Sequence, residues 1–170
     1  MMTLKVRTLG LLCVGFLGSI SVQASTWVTK PNCDMPATSL KELKTESQDK
    51  CQQVCDETEG CKGIVYITGW RKCSLKADGK KQATMRFISG ELNDKHVYEP
   101  GSFKTDNDHS GKDLERIVLD VPDQCGKACE SRADCQAFTF IEGYRVCWLK
   151  KKGGKFSDKV FHCGFKKLEG

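Results

Sequence analysis

The sequence contains few of the residues from which enzymes build acid–base sites, with only three histidines among its 170 residues. These are His96, His109 and His162, each in a different stretch of the chain. Ser110 and Asp113 follow His109 closely, but near-consecutive residues on one polar stretch do not supply a buried, oriented base with an oxyanion hole. A phosphate-binding loop and a His-Glu-x-x-His motif are also absent from the sequence. We therefore expect a protein that is not an enzyme.

Sites for metals and cofactors are equally hard to place. The acidic residues Asp106, Asp108 and Asp113 lack the glycine and the terminal glutamate of an EF-hand calcium loop. The cysteines are spaced C-x3-C-x5-C, and although C-x3-C alone falls within zinc-site spacing, the C-x5-C that follows does not. A C-x-x-C redox motif is missing as well. We expect neither a metal nor a cofactor, and we interpret the cysteines as structural disulfides.

Long apolar stretches are missing apart from residues 9–20, a run that is too short to span a bilayer comfortably. Lys5 and Arg7 precede this run, and Val22-Gln23-Ala24 offers the small residues of a cleavage site. We interpret residues 1–24 as a secretory signal peptide, the alternative being an uncleaved membrane anchor. Cleavage would leave 146 of the 170 residues and ten of the eleven cysteines. The mature chain would reside where disulfides persist, in a periplasm or outside the cell.

The cysteines also show that the chain contains an internal repeat. Residues 49–90 align without a gap on residues 123–164, and four pairs of cysteines each lie 74 residues apart. These pairs are Cys51 and Cys125, Cys55 and Cys129, Cys61 and Cys135, and Cys73 and Cys147. Further identities include Gly69 with Gly143, Arg71 with Arg145, and Leu75 with Leu149. A repeat of this quality indicates two copies of one structural unit.

Each copy begins with the signature of a helix and continues with strands. Ser47 is a suitable N-cap for the first helix, and Pro122 lies near the first turn of the second, where proline is tolerated. In the first copy, β-branched and aromatic residues at 62–68 and 71–76 predict an antiparallel hairpin, and residues 84–90 predict a final strand. We expect each unit to be a curled antiparallel sheet with one helix across it, which is an α+β fold.

The four cysteines of one unit allow three pairings. Cys51 and Cys55 are four residues apart, so on a helix both thiols project from one face toward neighbouring strands. A nested arrangement satisfies this geometry: Cys51–Cys73 with Cys55–Cys61, and Cys125–Cys147 with Cys129–Cys135. A loop of the length closed by Cys51–Cys73 contributes about 3 kcal/mol in the chain-entropy model. Such bridges suit units that are too small to bury a large core.

This pattern resembles that of the PAN/apple family. The second unit carries an acidic, glycine-containing lead-in (TDNDHSGKDLERIVLD), the C-x3-C helix, and the segments CQAFTF and CWLK. The first unit keeps the four cysteines and CSLK but has GIVY where the second has AFTF, which makes it a diverged copy. The resemblance implies two small, disulfide-rich domains in tandem, residues 25–98 and residues 99–170, each with the nested disulfide core.

The resemblance also implies a further bridge, because apple versions of the fold join their N- and C-terminal strands. The chain departs from that pattern: outside its core cysteines the first unit has only Cys33, and the second has only Cys163. A Cys33–Cys163 bridge would close the two-domain chain end to end. The alternatives are that both thiols are unpaired or that they cross-link two chains.

The function implied by the resemblance is recognition, since PAN/apple domains bind proteins or carbohydrates and often occur in tandem in adhesion proteins. We expect a secreted recognition or adhesion module for an extracellular protein or carbohydrate, including sulfated or anionic glycans, and no nucleic-acid partner. The alternative is a disulfide-stabilised inhibitor or envelope-stabilising protein with one dedicated protein partner.

Two features of the hairpins suggest where a partner binds. Trp70 and Tyr144 occupy equivalent turn positions, where an exposed ring beside an arginine suits a protein or sugar contact. Basic residues follow in both units, and their combined field would attract polyanions. The predicted contact residues are Trp70, Arg71, Lys76, Lys81, Tyr144, Arg145, Lys150, Lys151, Lys152 and Lys155. The alternative is a solvated face that keeps edge strands from pairing and the domains soluble.

Overall fold

The structure, a computed structural model, describes residues 25–167, so the signal peptide predicted for residues 1–24 lies outside the described residues. The first half contains β1 (Trp27–Pro31), β2 (Cys33–Asp34), β3 (Ser39–Lys44), α1 (Gln48–Asp56), β4 (Gly63–Ile67), β5 (Lys72–Lys76), β6 (Ala83–Thr84) and β7 (Phe87–Glu91). The second half contains β8 (Lys104–Thr105), β9 (Asn107–His109), β10 (Asp113–Val118), α2 (Pro122–Glu130), β11 (Ala137–Ile141), β12 (Val146–Lys150), β13 (Phe156–Asp158) and β14 (Phe161–Lys166). A short 3-10 helix, Glu142–Tyr144, follows β11. These elements confirm the predicted α+β class.

The 74-residue repeat holds for the elements as well as for the cysteines. α1 begins at Gln48 and α2 at Pro122, and β7 begins at Phe87 and β14 at Phe161, so both pairs are 74 residues apart. The helices start as their sequences indicate, because the Ser47 hydroxyl caps α1 and a proline occupies the first turn of α2. The structure therefore contains two copies of one unit.

The two five-stranded antiparallel sheets exchange their final strands. The first sheet has the order β1-β14-β4-β5-β3, and the second has the order β10-β12-β11-β7-β8. β14, from the second half, thus pairs with β1 and β4 of the first, whereas β7, from the first half, pairs with β11 of the second. The pattern of the sequence suggests that a final strand completes the sheet of its own unit; in the structure it completes the sheet of the other. Only Met85 and Arg86 separate β6, which pairs with β2, from the exchanged β7.

A glycine in each exchanged strand allows close packing against the strand it joins. Gly90 of β7 lies opposite Phe138 of β11, and a Cβ on Gly90 would come within 2.6 Å of the Phe138 ring. Gly164 is the equivalent residue of β14, and a Cβ there would lie 3.1 Å from the Ile64 side chain of β4. Both copies of the repeat therefore have glycine at this position because the exchanged strand packs closely against its neighbour.

The two units meet in a shared apolar core, which we call the seam. Phe87 of β7 stacks on Phe161 of β14, its repeat equivalent, with ring centroids 4.8 Å apart. The other buried residues of the seam are Cys33, Met35, Val65, Ile67, Met85, Ile141 and Cys163. Two further buried clusters contain the core cysteines of α1 and of α2 with the neighbouring strands. All five residues of β4 and of β11 are buried, so these central strands are covered on both faces.

The ten cysteines of the described chain form five disulfides. The structure pairs Cys51 with Cys73, Cys55 with Cys61, Cys125 with Cys147, Cys129 with Cys135, and Cys33 with Cys163. Their Cα atoms are between 5.2 and 5.7 Å apart, which is the usual span of a disulfide. The nested pairs hold each helix on the hairpin of its own unit.

The Cys33–Cys163 bridge has a different role, because Cys163 belongs to an exchanged strand. It joins β2 to β14 and therefore fixes the exchanged strand in the first sheet. The residues 74 positions away from these cysteines are Asn107 and Ser89. In place of a disulfide, the Ser89 hydroxyl donates a hydrogen bond to the backbone carbonyl oxygen of Asn107 at 2.6 Å. The second sheet thus holds its exchanged strand without a covalent bond.

Because Ser89 and Asn107 occupy the positions of a disulfide in the other unit, we expect the double variant Ser89→Cys, Asn107→Cys to form a sixth bridge. The loop it would close contributes about 3 kcal/mol in the chain-entropy model, less the hydrogen bonds that both side chains lose. Mass mapping of an unreduced digest would detect the bridge, and the two single variants would report the lost hydrogen bonds alone. Two free thiols in the folded double variant would show that the two positions are not equivalent.

The exchange also predicts that the two halves stay together when the chain between them is cut. In a chain carrying Cys33→Ser and Cys163→Ser, a protease site between the exposed residues Asp94 and Lys95 should be cut without separating the halves. Each half would still hold one strand in the sheet of the other, so size-exclusion chromatography should show one particle until denaturant is added. Halves that separate in native buffer would mean that each unit keeps its own final strand.

Tyr98 anchors the segment between the units to α2. Its ring is buried, meets Phe138 edge to face with centroids 5.6 Å apart, and covers Gly126 in the middle of the helix. Its hydroxyl donates to the Asp123 carboxylate at 2.7 Å. Burial and this carboxylate raise the pKa of Tyr98, and a hydrogen bond from the Gly101 backbone N–H, together with that from Tyr98, lowers the pKa of Asp123. A Cβ on Gly126 would lie 2.5 Å from the Tyr98 ring, so this glycine is required by packing.

The substitution Gly126→Ala should therefore destabilise the protein although alanine favours a helix by about 1 kcal/mol over glycine. We expect the free energy of unfolding to fall by about 1–3 kcal/mol, the usual cost of overpacking. Denaturant titration would measure it, with Gln52→Ala at the equivalent position of α1 as a control that changes little. A more stable Gly126→Ala protein would mean that Tyr98 does not pack on the helix as described.

Candidate binding surface

The two aromatic residues predicted to contact a partner lie at the seam. Trp70 is 42% exposed, meets Phe87 edge to face at 5.2 Å between centroids, and has the Lys159 ammonium 4.5 Å from its ring. Tyr144 is 53% exposed, and its hydroxyl donates to the Asp34 carboxylate at 2.5 Å. Tyr144 therefore contacts the first unit, and Trp70 lies between the exchanged strand β7 of its own half and Lys159 of the second, so both rings present only part of their surface to solvent.

The arginines beside them shape the turns. Arg71 and Arg145 adopt the left-handed conformation, with φ of 52° and 54°, which the tight connections between β4 and β5 and between β11 and β12 require. The Arg145 guanidinium pairs with the Asp120 carboxylate on the surface. The recurrence of arginine at this position in both copies is thus tied to backbone geometry as well as to charge.

Two of the predicted contact lysines, Lys76 and Lys150, are buried, and this corrects their assignment to an exposed basic surface. Lys76 donates from Nζ to the Ala37 carbonyl oxygen at 2.9 Å, and Lys150 donates to the Asp113 carboxylate at 2.6 Å. Both lysines pair with the first residue of an edge strand, Ser39 or Asp113, where a bulge interrupts the register. The repeated lysine therefore stabilises this irregular strand end.

Exposed lysines of the second unit gather on two touching loops. Four of them, Lys112, Lys151, Lys152 and Lys155, lie on these loops, and we call them the lysine cluster; Lys104, Lys127 and Lys167 are exposed elsewhere. The backbone N–H of Lys151 donates to the Lys112 carbonyl oxygen at 2.9 Å, and that of Ser110 donates to the Lys155 carbonyl oxygen at 3.0 Å. Among residues 25–167, no carboxylate lies within 4.0 Å of any of the four ammonium groups. The cluster is therefore a local excess of positive charge.

A pair of glycines and a buried histidine build this cluster. A Cβ on Gly154 would lie 2.1 Å from the backbone nitrogen of Gly111, so the two loops touch only because both residues lack side chains. The Gly111 N–H donates to His109 Nδ1 at 3.2 Å. The neutral His109 ring therefore carries its proton on Nε2, which donates to the Glu91 carboxylate of the exchanged strand at 2.8 Å. The sequence offered no signal for Lys112 or for this support beyond two glycines in adjacent turns.

The arrangement is unlike a catalytic site. His109 contacts Gly111 and Glu91, the Ser110 hydroxyl accepts from the backbone of Lys155, and Asp113 binds Lys150, so these three residues do not form a triad. Asp108 is likewise engaged, because its carboxylate binds Lys159 and the Thr139 hydroxyl. In the described part of the chain, no group of three or more potential metal ligands comes together, and no helix is long and apolar enough to cross a membrane.

Comparisons with known proteins agree with the repeat. Models of the PAN domain match residues 26–103 and residues 107–150. A similar solved structure is the pair of N-terminal apple domains of Toxoplasma gondii microneme protein 4, in solution. It is 17% identical, and the match covers 81% of this chain and 87% of that one with a TM-score of 0.29, which is too low to support a comparison of geometry. None of the curated proteins matches the sequence.

Proposed function

Because the chain belongs to the PAN domain family, whose members are generally non-catalytic binding modules, we propose that it is a recognition protein that binds an anionic carbohydrate through the lysine cluster. The observation that carries this proposal is that no carboxylate lies within 4.0 Å of the Lys112, Lys151, Lys152 and Lys155 ammonium groups among the described residues. Four ammonium groups on two touching loops create a positive field that attracts a polyanion. We retain residues 25–98 and residues 99–170 as the two domains in sequence, although each receives a strand from the other.

The compartment supports a carbohydrate rather than another polyanion. Five disulfides suit an oxidising compartment, such as the periplasm or the outside of the cell. The abundant polyanions there are sulfated glycans and acidic polysaccharides. Binding by exposed ammonium groups is screened by salt, so the contact would be reversible and sensitive to ionic strength.

A dedicated protein partner is the second candidate. Val118, Val121 and Tyr144 are exposed by 65%, 46% and 53%, and all lie at the end of the second sheet where β10 leads into α2. The backbone of Leu119 binds that of Arg145 beside them. Exposed apolar residues next to an arginine suit a protein interface, and a complex formed there would be insensitive to salt.

The variant Lys151→Gln, Lys152→Gln, Lys155→Gln should elute from immobilised heparin at clearly lower salt than the parent protein. A control variant, Lys41→Gln, Lys44→Gln, Lys95→Gln, removes the same number of charges from exposed positions elsewhere. On a sulfonate cation exchanger the two variants should elute together, because that resin responds to net charge. Equal elution of both variants from heparin as well would show that the lysine cluster is a solvated face and would favour the protein partner.

A further inference from the structure

The first unit contains a cleft that the lysine cluster does not share. Its volume is about 410 Å³, and it opens between the turn after β5 and the end of β14. Phe165 and Gly79 form its apolar floor, and Lys62, Lys80 and Lys167 lie around its rim with Asp78. The volume falls within the range of pockets that hold small ligands.

The strand exchange assembles this cleft from both halves of the chain. Phe165 and Lys167 arrive with β14 and the residue after it, whereas Lys62 and Gly79 belong to the first half. The backbone N–H of Lys166 donates to the Lys62 carbonyl oxygen at 3.1 Å, which fixes Lys62 beside the exchanged strand. A Cβ on Gly79 would lie 2.8 Å from the Phe165 Cβ, so the turn approaches the floor as closely as it can.

The rim carries an excess of positive charge. Lys62, Lys80 and Lys167 are exposed, and none has a carboxylate within 4.0 Å among residues 25–167. Lys166 differs from them, since its ammonium binds the Cys55 carbonyl oxygen and the Asp56 carboxylate. Asp78, a carboxylate at the rim, accepts a hydrogen bond from the backbone N–H of Lys80. The methylene stems of Lys62, Lys80 and Lys167 extend the apolar floor, while their ammonium groups remain at the opening.

The second unit has a cleft of about 460 Å³ that overlaps the equivalent position at three residues and has different chemistry. Glu91, Asn93 and Phe156 line it at the repeat positions of Phe165, Lys167 and Gln82 in the first cleft. The repeat equivalents of Lys62 and Lys80 are Gln136 and Gly154, which do not line the second cleft, so the pair of rim lysines is specific to the first.

We propose that the cleft of the first unit binds a small amphiphilic anion, a medium-chain carboxylate, with its chain on Phe165 and Gly79 and its carboxylate between Lys62 and Lys80. The apolar floor accounts for the chain, and ammonium groups with no carboxylate within 4.0 Å among residues 25–167 account for the anionic head. This site is separate from the lysine cluster, so it does not depend on carbohydrate binding.

Isothermal titration of the full chain with decanoate tests the proposal, with acetate and decyltrimethylammonium as partial ligands. We expect saturable binding of decanoate, and no binding of acetate, which lacks the chain, or of decyltrimethylammonium, which carries the opposite charge. The variant Lys62→Glu, Lys80→Glu should weaken decanoate binding by about tenfold or more, equivalent to about 1.4 kcal/mol. The control Lys41→Glu, Lys44→Glu, with the same change in net charge, should leave it unchanged.

Three results would overturn the proposal: no saturable binding of decanoate, equal binding of the cationic surfactant, or equal weakening by both variants. The variant lacking Lys151, Lys152 and Lys155 should bind decanoate as the parent does. If that variant loses heparin retention but still binds decanoate, the two sites are independent. If the parent protein binds heparin but not decanoate, the cleft proposal fails while the proposed carbohydrate binding stands.

Discussion

The structure depends on the exchange of two strands, which begin at Phe87 and Phe161, and the stacking of these two equivalent rings joins the units where the strands cross. Each strand lies inside a sheet built by the other half, with neighbours on both sides. Removing either strand would leave the backbone groups of two neighbours without partners, which is costly in a buried sheet. A unit of about 70 residues buries little apolar surface alone. The seam adds a third core that neither unit could form by itself.

The exchange also places the candidate sites. Glu91, at the end of the exchanged β7, accepts a hydrogen bond from the buried His109, whose other nitrogen holds the Gly111 loop. The lysine cluster of the second unit therefore rests on a strand from the first. In the other direction, Phe165 of the exchanged β14 provides the floor of the cleft in the first unit. Both surfaces require the two halves in their exchanged positions.

Local features of the fold could be predicted from the sequence, whereas the pairing of β-strands between the two halves could not. The helices follow from Ser47 and Pro122, and the pairs Cys51–Cys73 and Cys125–Cys147 belong to the nested arrangement that the helical spacing of the cysteines accommodates. The sheet that each final strand joins is harder to predict, because the repeat contains two final strands of similar sequence and either one could complete either sheet. Phe87 and Phe161 are identical, as are Gly90 and Gly164, so the sequence signal that ties a final strand to the other unit is Cys163, which can pair with Cys33. Two-residue connections, Met85-Arg86 and Lys159-Val160, lead into the two exchanged strands, and only the three-dimensional structure shows their paths.

The lysines show why repetition is a poor guide to a binding surface in this chain. Lys76 and Lys150 recur at equivalent positions and both satisfy a bulged strand end, so their recurrence reflects a need of the fold. The exposed Lys151 and Lys152 stand where the first unit has Ala77 and Asp78, and they differ because the fold does not constrain them. Two copies of one framework in a single chain must both meet the structural demands, but only one copy needs to carry a given ligand. The exposed residues that differ between the copies, such as Lys151 and Lys152, are therefore the ones that the fold leaves free to vary.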